Sequence, residues 1–202
     1  MAVFDAHFHV IDARFPLVAN QGYLPEPFTV ADYRARTEHL DVTGGAVVSG
    51  SFQAYDQTYL LDALEQLGEG FVGVANVPPG ITDREVLALY AGGVRAYRVN
   101  LFRGGDLAQV EDAERFAELC GWHLEVYLDG DDLPELAPRL AKVPRLVIDH
   151  LGMSNLPDVL RLARVEGRSE PNSSAAGLTS ATARSAAATS SWRTRPKPVA
   201  FT

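Results

Sequence analysis

The stretch "FDAHFHV", residues 4–10, decides how this chain is read. Apolar and polar residues alternate through it with a period of two, the pattern of a β-strand with two unlike faces. Residues two apart on a strand point the same way, so His7 and His9 share one face at the strand's C-terminal end. The next segment, "IDARFPLVANQGYLPEPF", carries three prolines and reads as a long loop.

Outward from that strand the chain repeats one plan. Short β-rich runs at residues 3–10, 44–51, 71–77, 94–102, 122–129 and 145–152 alternate with helix-periodic runs. Thr29 reads as the N-cap of a helix reaching about His39. In "DQTYLLDALEQLG", Leu60, Leu61, Leu64 and Leu67 share one face and Gly68 ends the helix. Thr82 with Glu85 three residues later spells a capping box, and Gly92 closes that helix. Residues 106–121, 132–143 and 156–167 complete six β-then-α units. Strands rich in Val, Leu and Ile on both faces suit a parallel sheet covered by helices. Such units close at eight, so we expect an α/β chain of the (β/α)8 TIM-barrel type, incomplete at about six units. Periodicity alone leaves a doubly wound sheet open.

The 202 residues are 47% hydrophobic and 22% charged, with mean hydropathy near zero. That balance gives one domain a sizeable core. A net charge of -8 repels phosphate backbones, which argues against nucleic acid as a partner. The single cysteine, Cys120, reads as a small buried helix residue, and with no internal disulfide to form a reducing compartment is expected. Neither a signal-peptide pattern nor an apolar run long enough for a bilayer is present, so we expect a cytoplasmic protein with no membrane partner.

The chemistry gathers at strand ends. Two imidazoles a few Å apart suit a divalent metal such as Zn or Mn. The combination of "FDAHFHV" with "RLVIDHLG" resembles the amidohydrolase superfamily, and within it the amidohydrolase-related branch of lactonases. The loop "IDARFPL" and the segment "GVRAYRVNLFRGG" fit the same branch, and the resemblance runs over roughly residues 4–164. It implies that His7, His9 and His150 are catalytic or metal-ligating residues, the last polarising or binding the substrate carbonyl. It also implies arginines that hold a substrate carboxylate. Arg98 shares a strand face with Asn100, and Arg103 follows them in "FRGG"; bidentate guanidinium geometry suits that task. Ser49, Ser51 and Tyr127, at strand ends, are candidate substrate contacts. His39 and His123 read as solvated or structural, and Trp122 as core. Family members carry a strand-eight aspartate, in a "GTD"-like motif, as general base. No such motif occurs here, and Asp149 is expected on the face opposite His150.

The pattern then changes. Of the 36 residues from 167 to 202, 20 are Ser, Ala or Thr. We expect residues 1–166 to form the barrel-type domain and residues 167–202 a low-complexity, disordered tail. The abrupt shift, and a plausible strand-seven sequence in another frame, suggest a slipped reading frame near residues 164–168. A genuine tail or a linker to a partner is the alternative. The function expected from the resemblance is hydrolysis of a lactone or ester of a small carboxylated acid, with little or no turnover from the chain as it stands. The alternatives are a metal-dependent decarboxylase of the same superfamily and an inactive fragment or binding module.

Overall fold

A computed structural model describes residues 2–20 and 22–153. Six strands alternate with five helices: β1 (Val3–Phe8), α1 (Val30–Thr37), β2 (Val42–Val48), α2 (Thr58–Leu67), β3 (Phe71–Ala75), α3 (Asp83–Ala91), β4 (Val94–Asn100), α4 (Ala113–Cys120), β5 (His123–Tyr127), α5 (Leu133–Leu140) and β6 (Leu146–Ile148). The sixth helix expected at residues 156–167 and the tail from 167 lie outside the described residues.

All strand pairs are parallel, and the sheet order is β1-β2-β3-β4-β5-β6. A doubly wound sheet reverses its order at a switch point. None occurs here, so the barrel reading holds, and the six strands form part of a barrel wall. The curl is seen in one contact. Strands lie about 4.8 Å apart, so in a flat sheet β1 and β6 would be separated by roughly 24 Å. Instead, His7 on β1 comes within 3.4 Å of Asp149, which follows β6.

The sheet separates two apolar layers. Outward-facing Val47, Ala75, Tyr97, Val99, Leu124 and Val126 pack against the helices in the main core. Inward-facing Ala46, Val48, Val74 and Ala96 form a second, smaller cluster. These small residues fill the floor of the concave side and leave room above them for longer polar chains.

Local signals fix the helices largely as the sequence indicates. Thr29 and Asp32 form a capping box on α1, as Thr82 and Glu85 do on α3. Gly68 follows α2, and Gly121 closes α4 with φ 74°. The helix expected over residues 106–121 is shorter than its pattern. Leu107–Asp112 forms 3-10 turns, and only Ala113–Cys120 is α-helical. Bonds to the sheet account for the break: buried Gln109 donates to the Val77 carbonyl at 2.6 Å, and Tyr97 Oη donates to the Gln109 carbonyl at 3.1 Å. Trp122 is core, with Nε1 donating to the Val94 carbonyl. No helix among the described residues is long and apolar enough to cross a membrane.

Candidate active site

The concave face collects one polar cluster from strands β1, β4, β5 and β6. Along β4, Ala96, Arg98 and Asn100 face inward. Across the ladder they stand opposite His123, Glu125 and Tyr127 of β5. Arg98 and Glu125 are therefore neighbours by register.

On β1 the pairing to β2 slips between Asp5 and Phe8. Such a bulge re-aims side chains. Asp5 accepts a hydrogen bond from Tyr33 of α1, on the helix side, and Phe8 stacks on the Tyr33 ring at 3.8 Å. His7 turns instead to the interior, where its Nδ1 lies 3.4 Å from Asp149 and 3.7 Å from Glu125. His9 follows on the same side, with ring centroids 5.1 Å apart.

Asp149 overturns one expectation. It does not point away from His150; both residues reach the same cluster. Strand β6 ends at Ile148, so alternation from inward Val147 carries Asp149 inward as well. His150 then takes a left-handed backbone, φ 50°, which brings the next side chain back to the same mouth. Its ring lies 5.3 Å from that of His7. A non-glycine residue in this region costs roughly 1 kcal/mol, and such strain gathers at functional sites.

Arg98 is 4% exposed and fully engaged. Its Nε and Nη2 donate to Asp149 Oδ2, and Nη1 donates to the Ser49 carbonyl. Glu125 Oε1 lies 3.2 Å from Arg98 Nε but is a buried atom without a hydrogen-bond partner among the described residues. The two carboxyls respond in opposite directions. Burial, then the negative charge of Asp149, pushes Glu125 well above the usual carboxylate range, and Arg98 only partly offsets this. Burial also pushes Asp149 upward, but the His7 hydrogen bond and the charges of Arg98, His7 and His150 outweigh it and hold Asp149 below that range. Of the pair beside the one guanidinium, Asp149 is the more readily ionised and Glu125 holds its proton the more tightly.

The histidines differ as well. Burial lowers His9 to about 3, with the neighbouring His7 and Arg98 acting in the same direction. Its Nδ1 lies 2.6 Å from the Val48 carbonyl, which can only accept, so the proton sits on Nδ1 and Nε2 keeps its lone pair. Partial desolvation also lowers His150, although Asp149 opposes the shift. His7 directs Nδ1 to Asp149 and leaves Nε2 buried without a partner among the described residues.

The remaining sequence candidates occupy distinct places. Ser49 is buried, and its hydroxyl bonds Gln57 and Tyr59 on the helix side of the sheet. Ser51 lies in a half-buried 3-10 turn after β2. Asn100 Oδ1 accepts from the Arg103 backbone N–H. Arg103 is half-buried and its charge reaches Tyr127, whose ring in turn lies 5.1 Å from His150. The structure thus gathers His7, His9, His150, Arg98 and Tyr127, and holds the Ser49 hydroxyl apart.

Sequence reasoning missed Glu125 and Asp149. The signal for Glu125 was a lone acid between Leu124 and Val126, two residues before Tyr127. The donor set available to a metal also differs from the expected three histidines. His7, Asp149 and His150 each offer a ligand atom, all within 4.8 Å of one another. His9 stands outside that group.

Comparison with known proteins gives the family. A family model described as "Amidohydrolase" matches residues 4–172. The 2-pyrone-4,6-dicarboxylate hydrolase of Comamonas testosteroni is 34% identical over 165 residues, covering 78% of this chain and 53% of that protein. The 4-sulfomuconolactone hydrolase of Rhizobium radiobacter is 28% identical, covering 73% and 52% respectively. The chain thus spans about half the length of the curated relatives it matches. Among solved structures, a "probable 2-pyrone-4,6-dicarboxylic acid hydrolase" from Acinetobacter baumannii, with citric acid bound, superposes with a TM-score of 0.69. It is 26% identical, and the match covers 81% of this chain and 66% of that one.

Proposed function

This chain belongs to the amidohydrolase family, and on that premise we propose that its site hydrolyses a lactone of a small, carboxylated organic acid. One observation carries the reading: His7 offers a buried Nε2 with no partner among the described residues, while its Nδ1 faces the ionised Asp149 at 3.4 Å. A carboxylate behind an imidazole fixes its tautomer and stabilises the imidazolium that forms when the far nitrogen takes a proton. His7 Nε2 accepts the proton of a water that attacks the lactone carbonyl. His150 and Tyr127, beside it at the mouth, are placed to hold the carbonyl oxygen as charge develops. The imidazolium then returns the proton to the ring oxygen as the C–O bond breaks.

Arg98 serves this step through Asp149, which it holds in place, rather than by touching substrate. Arg103, Asn100 and Ser51 are the proposed contacts for substrate carboxylates. Two relatives are named for anionic lactones and one related structure holds citric acid, which supports an acidic substrate.

A second reading uses a divalent cation. His7, Asp149 and His150 form a donor set that fits Zn or Mn, and the orphaned His7 Nε2 is the atom it would satisfy. When bound, the ion would polarise the carbonyl and acidify a water. The Arg98 guanidinium on Asp149 opposes a further positive charge and weakens such binding. We place the protein in the cytoplasm, and take residues 1–166 as the enzymatic unit, separate from residues 167–202.

Turnover of a panel of carboxylated lactones, followed by the acid released, tests the reading. His7→Gln is expected to lower the rate by about 10²-fold or more. Turnover unchanged in that variant refutes the role of His7, and carbon dioxide in place of ring-opened acid identifies a decarboxylase. Dialysis against chelator with metal analysis separates the cation reading: loss of turnover restored by Zn or Mn supports it, and full turnover of metal-free protein removes it.

A further inference from the structure

Six rings line the mouth in an unbroken arc. Phe52 lies 5.9 Å from His9, His9 5.1 Å from His7, His7 5.3 Å from His150, His150 5.1 Å from Tyr127, and Tyr127 5.1 Å from Phe102. The two end members differ in exposure. Phe52 is 8% exposed and packed away, whereas Phe102 is 42% exposed. Phe102 is stacked on Tyr127, with 23° between the ring planes, and Arg98 Cζ lies 5.2 Å from the centre of the Tyr127 ring.

The turn that presents Phe102 is closely determined. Asn100 Oδ1 accepts from Arg103 N, Gly104 N donates to the Leu101 carbonyl, and Gly105 N donates to the Asn100 carbonyl. Gly104 has φ 84°, and a Cβ at Gly105 would sit 2.7 Å from the Asn100 carbonyl oxygen. The six positions from 100 to 105 therefore hold one backbone shape. The turn thus places Phe102 beside the acid–base cluster, stacked on Tyr127 on one side and partly exposed.

We propose that Phe102 is a specificity-determining residue: with Tyr127 it forms an aromatic wall against which the flat, conjugated ring of an unsaturated lactone acid rests, so that flat rings are preferred over puckered ones. This rests on the reading of the site as one for carboxylated lactones. A flat π-face gains both burial and ring–ring contact on such a wall. A saturated ring of the same charge presents axial hydrogens and loses the face contact. Arg103, next in sequence, places positive charge beside the same wall, where a carboxylate on the ring plane would meet it.

Two probes share carboxylate spacing and charge but differ in ring shape: benzene-1,3-dicarboxylate and cis-cyclohexane-1,3-dicarboxylate. Titration calorimetry on the full chain is expected to show about two- to ten-fold tighter binding of the flat acid. Phe102→Ala should abolish that preference by weakening the flat acid more than the saturated one, and Phe102→Tyr should keep it. Equal affinity of the unaltered chain for the two acids, or a preference that survives Phe102→Ala, overturns the proposal and leaves the carboxylated-lactone reading standing. Binding of neither acid overturns both.

Discussion

Replacing Arg98 by Met removes the one guanidinium that Asp149 and Glu125 share. Asp149 is 5% exposed and accepts two hydrogen bonds from Arg98, so the change leaves a buried carboxylate with His7 as its main remaining partner. Breaking a buried pair in this way costs about 3–5 kcal/mol. For a chain of this size each kcal/mol corresponds to about 2–4 °C, so Tm should fall by roughly 6–20 °C at pH 7. Asp149→Asn should cost less. Glu125 Oε1 already lies 3.2 Å from Arg98 Nε, and its carboxyl can ionise to take over the guanidinium once Asp149 is neutral. The pH dependence has a definite sign. In the intact protein Asp149 is held low, so its contribution is present above the unfolded-state pKa and lost as pH falls through the folded one. Without Arg98, burial acts with less opposition and lifts the carboxyl above its unfolded value. The Met variant then loses stability as pH rises, and its deficit should be smaller at pH 4.5 than at pH 7. Thermal melts of the two variants at both pH values decide the matter. Equal losses in the two variants, or a deficit that grows on acidification, would refute the account of the cluster.

Burial that lowers His9 to about 3 makes its neutral form part of the folded state. Stability should be full above pH 6.5 and fall by about 1.4 kcal/mol per pH unit as pH drops from 6.5 toward 3. In ¹⁵N NMR spectra His9 should show a protonated Nδ1 and no titration between pH 5 and 8; an ordinary titration near 6.5 would contradict this. Thr82→Ala removes the hydroxyl that accepts from Glu85 N and should lower Tm by about 2–4 °C with the sheet intact by circular dichroism. Gly44→Ala places a Cβ 2.3 Å from the Gly70 carbonyl oxygen and 3.2 Å from Phe4, where backbone cannot yield, so Tm should fall by more than about 5 °C. A melt unchanged from that of the parent would show that β2 and the turn at Gly70 before β3 can separate locally at no cost.

The fold was legible because each signal was local. The Thr29 cap, the Thr82–Glu85 capping box and the glycine stops at Gly68, Gly92 and Gly121 are written within one helix and appear where the pattern puts them, whereas the helix expected over residues 106–121 is cut short by bonds to the sheet. The strand order was not local. Six consecutive βα units suit a barrel or an open doubly wound sheet equally, and only the pairing β1 through β6 distinguishes them. The site divides on the same line. His7 and His9 follow from a two-residue period. Asp149 was misplaced because strict alternation was carried one residue too far: the strand stops at Ile148 and the left-handed His150 resets the direction. Ser49 was read as a mouth residue, yet its hydroxyl is committed to Gln57 and Tyr59, partners eight and ten residues away on the approach to α2 and in α2 itself. Glu125 went unnoticed because its meaning lies in the strand beside it.

The same cluster does two things that sequence position cannot separate. His7 comes from one outer strand of the sheet and Asp149 from the end of the other, and the two strands share no backbone pairing among the described residues. Arg98 from β4 and Glu125 from β5 fill the space between them. Whatever chemistry these groups perform, they also tie the ends of a curved six-stranded wall together through its interior. Each polar group is charged, hydrogen-bonded or held protonated by its neighbours, so removing one changes the protonation of the others. A loss of turnover after substitution in this set therefore has two sources: a missing acid–base group and an opened wall. The two come apart at His7. His7→Gln keeps a polar chain for Asp149 and no proton acceptor of comparable basicity, so turnover should fall while Tm shifts by only a few degrees. Arg98→Met should lower both together. That contrast identifies His7 as the group doing chemistry and Arg98 as the one that holds it in place.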